Sequence, residues 1–403
     1  MNQNKFKEAI RKQYLKKIEQ YVGVPIIKVL TGIRKSGKST ILKQIQEHLL
    51  KTNMNIISID MNKEENKIRF SSSIKLTNYL KTKVNTTKRF HIFIDEIQEI
   101  PNWEKSINEL TTIEWQNLDF YITGSNSKLL SRELATLLTA KYIQFEIFPF
   151  SFQEYKELCE LNNLSYSYQD YFLYGGMPLS IQFPTTEGKI QYLQSIYSSV
   201  LENDILQRKV FKNIRELKNI YLFIINNIGK QISFDNIAQY LKSVNNQQYS
   251  ASTISLYVEW LDKTYLIREC KYWQIKTKEI MANNTKYYLI DNGFFIANDG
   301  KIDNNSGYLL ENIVFNQFKR QGCEVYAGTD RYIDIDFVLT LKNQITYVQV
   351  CFELNANNYK RECENLLKIK DNNRKIIICE KNKALNINNG IEIILIEDFL
   401  KNP

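Results

Sequence analysis

The chain has 403 residues, length enough for about two to four domains, and its 43% hydrophobic content with 12% aromatics excludes a disordered polymer. Its formal charge of +9, from 53 Lys and Arg against 44 Asp and Glu, admits nucleic acid as a partner without requiring it. Six scattered cysteines with no C-x-x-C pair, and only His48 and His91 as histidines, argue against a zinc site and for reduced thiols. No apolar run approaches the about 18 residues of a membrane span. The N-terminal MNQNKFKEAIRKQ lacks a signal-peptide core. A soluble cytoplasmic protein with no membrane contact is the expectation.

The first apolar run, IIKVL, predicts a strand, and TILKQIQEHLL predicts a helix with period 3.6. Between them, TGIRKSGKST completes G-x-x-x-x-G-K-[ST] in the strand–loop–helix setting that a phosphate-binding loop needs. Gly32 and Gly37 let the backbone curl, so that N–H groups along Ile33, Arg34, Lys35 and Ser36 can face a triphosphate. The start of the following helix adds its positive end. Lys38 would reach the β- and γ-phosphates, the Ser39 hydroxyl would ligate Mg²⁺, and Thr40 closes the motif. The chain is expected to bind ATP or GTP.

Further strands are predicted over 54–60, 89–100, 117–126 and 142–148, near-continuous apolar runs separated by helical stretches. That pattern predicts a parallel sheet covered on both faces, with nucleotide at the carboxyl ends of the strands. The third strand runs into Asp95-Glu96. Asp95 would hold Mg²⁺ beside Ser39, and Glu96 would polarise the attacking water as general base. The alternative is a carboxylate pair capping the next helix. The fourth strand ends in Thr123-Gly124-Ser125-Asn126. There Asn126 is a candidate to hydrogen-bond the γ-phosphate or the lytic water, the alternative being an ordinary turn with a helix cap. Arg132, and more weakly Lys141, are candidates for a charge-stabilising cation.

Residues 151–210 read as helices, broken at Gly175-Gly176-Met177-Pro178 by a hinge or a tight packing joint. Residues 211–300 suit a winged helix-turn-helix. Its first helix carries Leu217, Ile220, Tyr221, Ile224 and Ile225, the second follows Ser233, and the third begins near Ser252. Ser252, Thr253 and Ser255 are candidate contacts to double-stranded DNA. Arg and Lys are sparse on that helix, so a protein partner stays open.

From 301 to 403 the order is helix, strand, strand, helix, strand, which matches the PD-(D/E)-x-K nuclease core. Glu311 and Asp336 would be its acidic positions, but Gln349 and Cys351 stand where an acid and a lysine are required. A nuclease-like domain without its chemistry is expected, with Glu353 on the same strand face as the one route to a shifted metal site.

GIRKSGKST, IFIDEIQEIPNWE, YITGSNSKLLS, FPFSFQEY, YGGMP, KYYLIDNGF, GYLLENIVFNQF and IDIDFVL occur in that order. Together they closely resemble a widespread family of bacterial and archaeal ATPases related to the AAA+ class. In that family a P-loop domain precedes a C-terminal region of unknown function. The resemblance spans nearly the whole chain. It implies an α/β P-loop NTPase domain, a winged-helix segment and a nuclease-like α/β domain; with the helical linker or lid read over 151–210, the first of these is expected over 1–150. It also implies ATP rather than GTP, and no guanine-reading N-K-x-D motif is apparent. One departure is Ala140-Lys141-Tyr142, where the family often has Gly-Arg-Tyr. A lysine there offers a point charge without the bidentate fork, so slow or altered hydrolysis is conceivable.

Overall fold

The computed structural model describes residues 6–84, 87–111, 117–124, 138, 141–205, 214–298, 300, 305–383 and 390–401. The chain divides into two units, Met1–Phe148 and Pro149–Pro403.

In the first unit, α1 (Lys12–Glu19) precedes β1 (Ile27–Thr31), α2 (Lys38–Leu50), β2 (Asn55–Asp60), α3 (Glu64–Arg69) and α4 (Ser73–Lys83). Then come β3 (Phe90–Asp95), α5 (Trp103–Leu110), β4 (Leu118–Thr123) and β5 (Tyr142–Glu146). The strands form one sheet in the order β2-β3-β4-β1-β5, and every pairing is parallel. This is the α/β P-loop architecture expected from the sequence. Alternation along β3 sends Ile92 and Ile94 to a core with Leu76, Leu80, Trp103 and Ile107 from α4 and α5. Phe93 joins the opposite core, with Tyr14 and Ile18 of α1 and Ile41, Leu42 and Ile45 of α2. Both faces of the central strands β1, β3 and β4 are buried, which is why these read as nearly continuous apolar runs.

A charged cluster is set into this sheet toward the start of its strands. Lys28 of β1 donates to Asp119 of β4, and their side chains are 0% and 3% exposed. Asp119 also accepts from Tyr121 Oη at 2.9 Å and from the Gly23 N–H at 2.9 Å, and His91 Nδ1 lies 3.0 Å away. Burial alone would raise the Asp119 pKa, but His91, Lys28 and the Gly23 N–H outweigh it and hold it below the ordinary range. Asp119→Asn would leave a buried ammonium without its counter-charge, so it should cost about 3–5 kcal/mol of stability in a urea melt. A cost below about 1 kcal/mol would mean that water reaches Lys28.

The second unit opens with α6 (Phe152–Leu161), α7 (Tyr168–Tyr174), α8 (Thr186–Ser199) and α9 (Ile214–Asn226). It continues through β6 (Gln231–Ile232), α10 (Phe234–Asn245), α11 (Ala251–Lys263), β7 (Ile267–Gln274) and β8 (Glu279–Leu289). Next are α12 (Gly293–Ala297), α13 (Ser306–Arg320), β9 (Glu324–Asp330), β10 (Ile333–Leu341) and β11 (Gln344–Leu354). Last come α14 (Tyr359–Lys368), β12 (Arg374–Asn382), β13 (Glu392–Leu395) and α15 (Ile396–Lys401).

Ser151, Ser233 and Ser250 cap α6, α10 and α11 through their side chains. Glu216 on α9 ties that helix to α11 and the residues just before it, accepting from Tyr249 and Tyr257 Oη at 2.8 Å each. Eight strands make one sheet in the order β13-β12-β11-β10-β9-β7-β8-β6. β7 pairs in parallel with β9, matching Tyr272 to Ala327 and Gln274 to Thr329. The strands on the two sides of residue 300, assigned to separate segments by sequence, therefore share a sheet.

Gly175-Gly176 is a packing joint. Gly175 has φ +69°, and a Cβ there would strike the Asp291 carboxylate. Asp291 accepts the Gly176 N–H at 2.7 Å and the Gly293 N–H at 2.9 Å. Among the described residues no helix is long and apolar enough to cross a membrane.

Candidate active site

The loop after β1 bends at Gly32, φ +135°, where a Cβ would collide with the Ile147 carbonyl. It turns again at Lys35, φ +66°, and at Gly37, φ +101°. α2 begins at Lys38 without a side-chain cap, so its first N–H groups point into the loop. Lys38 is 3% exposed. Its ammonium donates to the Gly32 carbonyl at 3.0 Å and the Ile33 carbonyl at 2.9 Å, folded into the loop it would leave for a phosphate. The Ser36 hydroxyl is buried there with no hydrogen-bond partner among the described residues. An orphaned donor, uncapped N–H groups and a lysine fit a polyphosphate.

Arg11, which no motif singles out, braces the loop from behind. Its guanidinium is 1% exposed and donates to the Ser36 carbonyl at 3.1 Å and the Phe148 carbonyl at 2.9 Å. Its own N–H is held by Gln44 Oε1 at 3.2 Å, which fixes the start of α1 against α2.

Ser39 Oγ donates to Asp95 Oδ1 at 3.0 Å, joining the start of α2 to the end of β3. Thr123 at the end of β4 donates to the same oxygen. Asn62 Nδ2 reaches Asp95 Oδ2 at 3.3 Å and Asp60 Oδ1 at 3.0 Å. Burial pushes the Asp95 carboxyl above the ordinary range, against hydrogen bonds from Thr123 and Ser39. A hydroxyl and a carboxylate are hard oxygen donors, and with phosphate oxygens and water they suit Mg²⁺. Among the described residues no three His, Cys, Asp or Glu side chains gather to hold a metal, and an ion shared with phosphate needs no such cage.

Glu96 follows in the left-handed region, φ +55° and ψ +52°, an uncommon conformation for glutamate. Thr123 fixes that turn by accepting the Glu96 N–H at 3.0 Å. The Glu96 carboxylate accepts from Gln98 Nε2. Thr123 thus bonds both acidic positions, a role visible in the sequence only as a polar residue at a strand end. Asn126 and Arg132 lie outside the described residues. Lys141 has an exposed side chain, and its carbonyl accepts the Ile27 N–H at 2.9 Å at the foot of β1.

In the second unit, Ser252 and Thr253 lie at the start of α11, where both hydroxyls sit 2.8 Å from Ser250 Oγ; Ser255 is half-buried one turn on. Glu311 on α13 and Asp336 on β10 come together around a group that the sequence did not point to, Lys286 of β8. The Lys286 ammonium is 4.0 Å from Glu311 Oε2 and 3.9 Å from Asp336 Oδ1. Tyr288 Oη donates to Glu311 at 3.0 Å, and the Val350 N–H donates to Asp336 at 2.7 Å.

Burial and the neighbouring Asp336 raise Glu311 to about 8; burial raises Asp336 to about 6 against the pull of Lys286. Burial opposes the Lys286 charge, yet the two carboxylates outweigh it and hold its pKa high. Gln349 Oε1 is buried without a partner among the described residues, and Cys351 is buried in register with Cys379. Glu353 turns to other partners, Lys383 at 3.0 Å and Asn355 at 3.1 Å.

Lys286→Met should therefore destabilise the protein by about 3–5 kcal/mol at pH 9 and far less at pH 5. Both acids have raised folded pKa values, so any stability linked to their protonation is full in acid and is lost as pH rises through about 6 and about 8. Denaturant melts at the two pH values would measure this, and an equal loss at both would show that the ammonium is not neutralising the pair.

Residues 25–156 match the family model of an AAA domain, and residues 165–304 match a domain of unknown function (DUF8612). An uncharacterized protein of Haemophilus influenzae is 34% identical over 398 residues, covering 97% of this chain and 98% of that one. Uncharacterized protein MJ1544 of Methanocaldococcus jannaschii is 29% identical over 351 residues, 83% of this chain and 77% of that one. Among solved structures, the Aeropyrum pernix ORC1 protein in complex with DNA superposes with TM-score 0.34 at 11% identity, over 74% of this chain and 94% of that one. AMPPCP-bound DnaA from Aquifex aeolicus gives TM-score 0.31 at 14% identity, over 62% and 86%. With its phosphate-binding loop set in a parallel five-stranded sheet and its AAA domain match, the chain belongs to the family of the Haemophilus influenzae protein and is an AAA+-related P-loop ATPase.

Proposed function

We propose that this chain hydrolyses ATP with Mg²⁺ and uses the cycle to move its C-terminal elements on DNA. The observation that carries the hydrolytic part is the Ser39–Asp95 hydrogen bond at 3.0 Å with Glu96 as the next residue. Gly32 to Thr40 would wrap the phosphates, with Lys38 exchanging two loop carbonyls for phosphate oxygens. Ser39 and Asp95 would hold Mg²⁺, which supplies charge neutralisation on the phosphates when bound. Glu96 would orient and deprotonate the attacking water, and Asn126 would sense the γ-phosphate.

The DNA part is supported by element order. Helices α9, α10 and α11 are followed by the β7–β8 hairpin, and β6 pairs with β8 at Gln231 and Ile232. That order supports reading this segment as a winged helix, in which the third helix would enter the major groove. Here Ser252, Thr253 and Ser255 would face the bases of a duplex. Residues 301–403 we read as a nuclease-like fold without its reaction. Gln349 and Cys351 cannot supply the acid and the lysine, and Lys286 already sits against both Glu311 and Asp336. Plasmid incubated with Mg²⁺ or Mn²⁺ should stay intact, and cleavage lost in Asp336→Ala would refute this.

The Glu96–Gln98 contact favours a second reading, a nucleotide-gated switch with slow turnover acting on DNA or a protein partner. Steady-state phosphate release with and without duplex DNA separates the two. Turnover stimulated by DNA supports the first. Turnover indifferent to DNA points to a protein partner, and negligible turnover supports the switch.

A further inference from the structure

Because β7 and β9 run parallel, the turn after β7 and the turn after β9 emerge at the same end of the sheet. The Ile275 N–H donates to the Thr329 carbonyl at 3.0 Å and holds the two turns side by side. A cleft of about 580 Å³ opens there, lined by Lys276, Asp330, Arg331, Tyr332, Ile333 and Lys368. Lys276 and Arg331 are exposed and form no ion pair among the described residues. Lys368 lies 3.1 Å from Glu364 on the surface of α14, a pairing that solvent makes weak. Asp330, the one acid of the lining, accepts the Arg331 N–H at 2.8 Å.

Tyr332 stands at the tip of the β9–β10 turn, 84% exposed. Folding gains almost nothing from a ring left in water, whereas a ring among cations is what a nucleobase can stack on while its phosphates are neutralised. We infer that this cleft binds a single strand of nucleic acid, with a base on Tyr332 and phosphates on Lys276, Arg331 and Lys368. The faces of paired bases are covered in a duplex, so the ring selects an unpaired strand; an acidic peptide would use the cations and leave the ring idle. The inference deepens the DNA part of the proposed function and rests on it.

Fluorescence anisotropy on the full chain tests it, with a labelled strand of about 16 nucleotides and the matched duplex. Tyr332→Ala should bind the single strand about tenfold more weakly and leave duplex affinity unchanged. Lys276→Gln and Arg331→Gln should each flatten the slope of log K against log salt by about 0.7, the loss of one phosphate contact. All three positions are exposed, so unfolding midpoints should match wild type. If wild type binds neither probe, the DNA part of the proposed function falls and this inference falls with it. If wild type binds the strand and all three variants bind equally well, DNA binding stands and the cleft is not its site. Charge variants that weaken only duplex binding, with Tyr332→Ala inert, would overturn the choice of a single strand.

Discussion

Glu96→Gln is expected to lower steady-state phosphate release by at least about 10²-fold while ATP affinity stays within about twofold of wild type. The substitution keeps the size of the side chain and an oxygen able to accept from Gln98, so the contact seen in the structure can persist. The left-handed turn is set by the Thr123 hydroxyl on the residue 96 N–H, and a change of side chain leaves that bond in place. What would be lost is the carboxylate proposed to take a proton from water. Binding measured with a fluorescent ATP analogue and turnover measured by phosphate release should therefore separate cleanly. A variant that turns over at the wild-type rate would remove Glu96 from the mechanism. One that binds ATP poorly would place the carboxylate in the metal shell with Asp95.

Gln98 gives the same argument a second handle. If its amide restrains the Glu96 carboxylate, Gln98→Ala should raise turnover by about tenfold or more, since one charge-assisted hydrogen bond is worth at least about 1.5 kcal/mol. Unchanged turnover would mean that the contact rearranges without cost when nucleotide arrives.

The parts of this site legible in the sequence are those built from one stretch of chain. The phosphate loop carries its own glycines, lysine and hydroxyl, and β3 announces Asp95 and Glu96 by ending an apolar run in two acids. The three central strands of the first sheet, β1, β3 and β4, could be found because burial on both faces makes them nearly continuous apolar runs. What escaped is what distant segments assemble. Arg11 is one basic residue among several near the N-terminus, and only the packing of α1 against α2 sends it under the loop. Asn62 matters because β2 and β3 pair with Asp60 opposite Asp95.

Lys286 sits between two carboxylates contributed by a helix and a strand that follow it in the chain, so no local pattern could reveal it. The same reason hid the continuity of the second sheet. A parallel pairing between β7 and β9 spans two helices and leaves no turn signature, so the sequence suggested a boundary near residue 300 where the strands in fact adjoin.

Lys38→Ala is the other large effect, and it bears on binding rather than turnover. The ammonium now donates to the carbonyls of Gly32 and Ile33, neutral acceptors that the loop supplies in its own curl. Phosphate oxygens carry full charge, and charge-assisted hydrogen bonds are worth about 1.5–3 kcal/mol each, so an arriving triphosphate should draw the amine away from them. Losing two such bonds predicts ATP binding weaker by about 10²–10⁴-fold. Thermal melting gives a reading independent of catalysis, since ATP at about 100 times its Kd should stabilise wild type by about 2.7 kcal/mol and leave Lys38→Ala unshifted. The variant without nucleotide should itself lose about 1–3 kcal/mol, the cost of leaving a buried acceptor without its donor. A variant that still gains stability from ATP at wild-type concentrations would put the nucleotide elsewhere, and the roles given to Ser39, Asp95 and Glu96 would go with it.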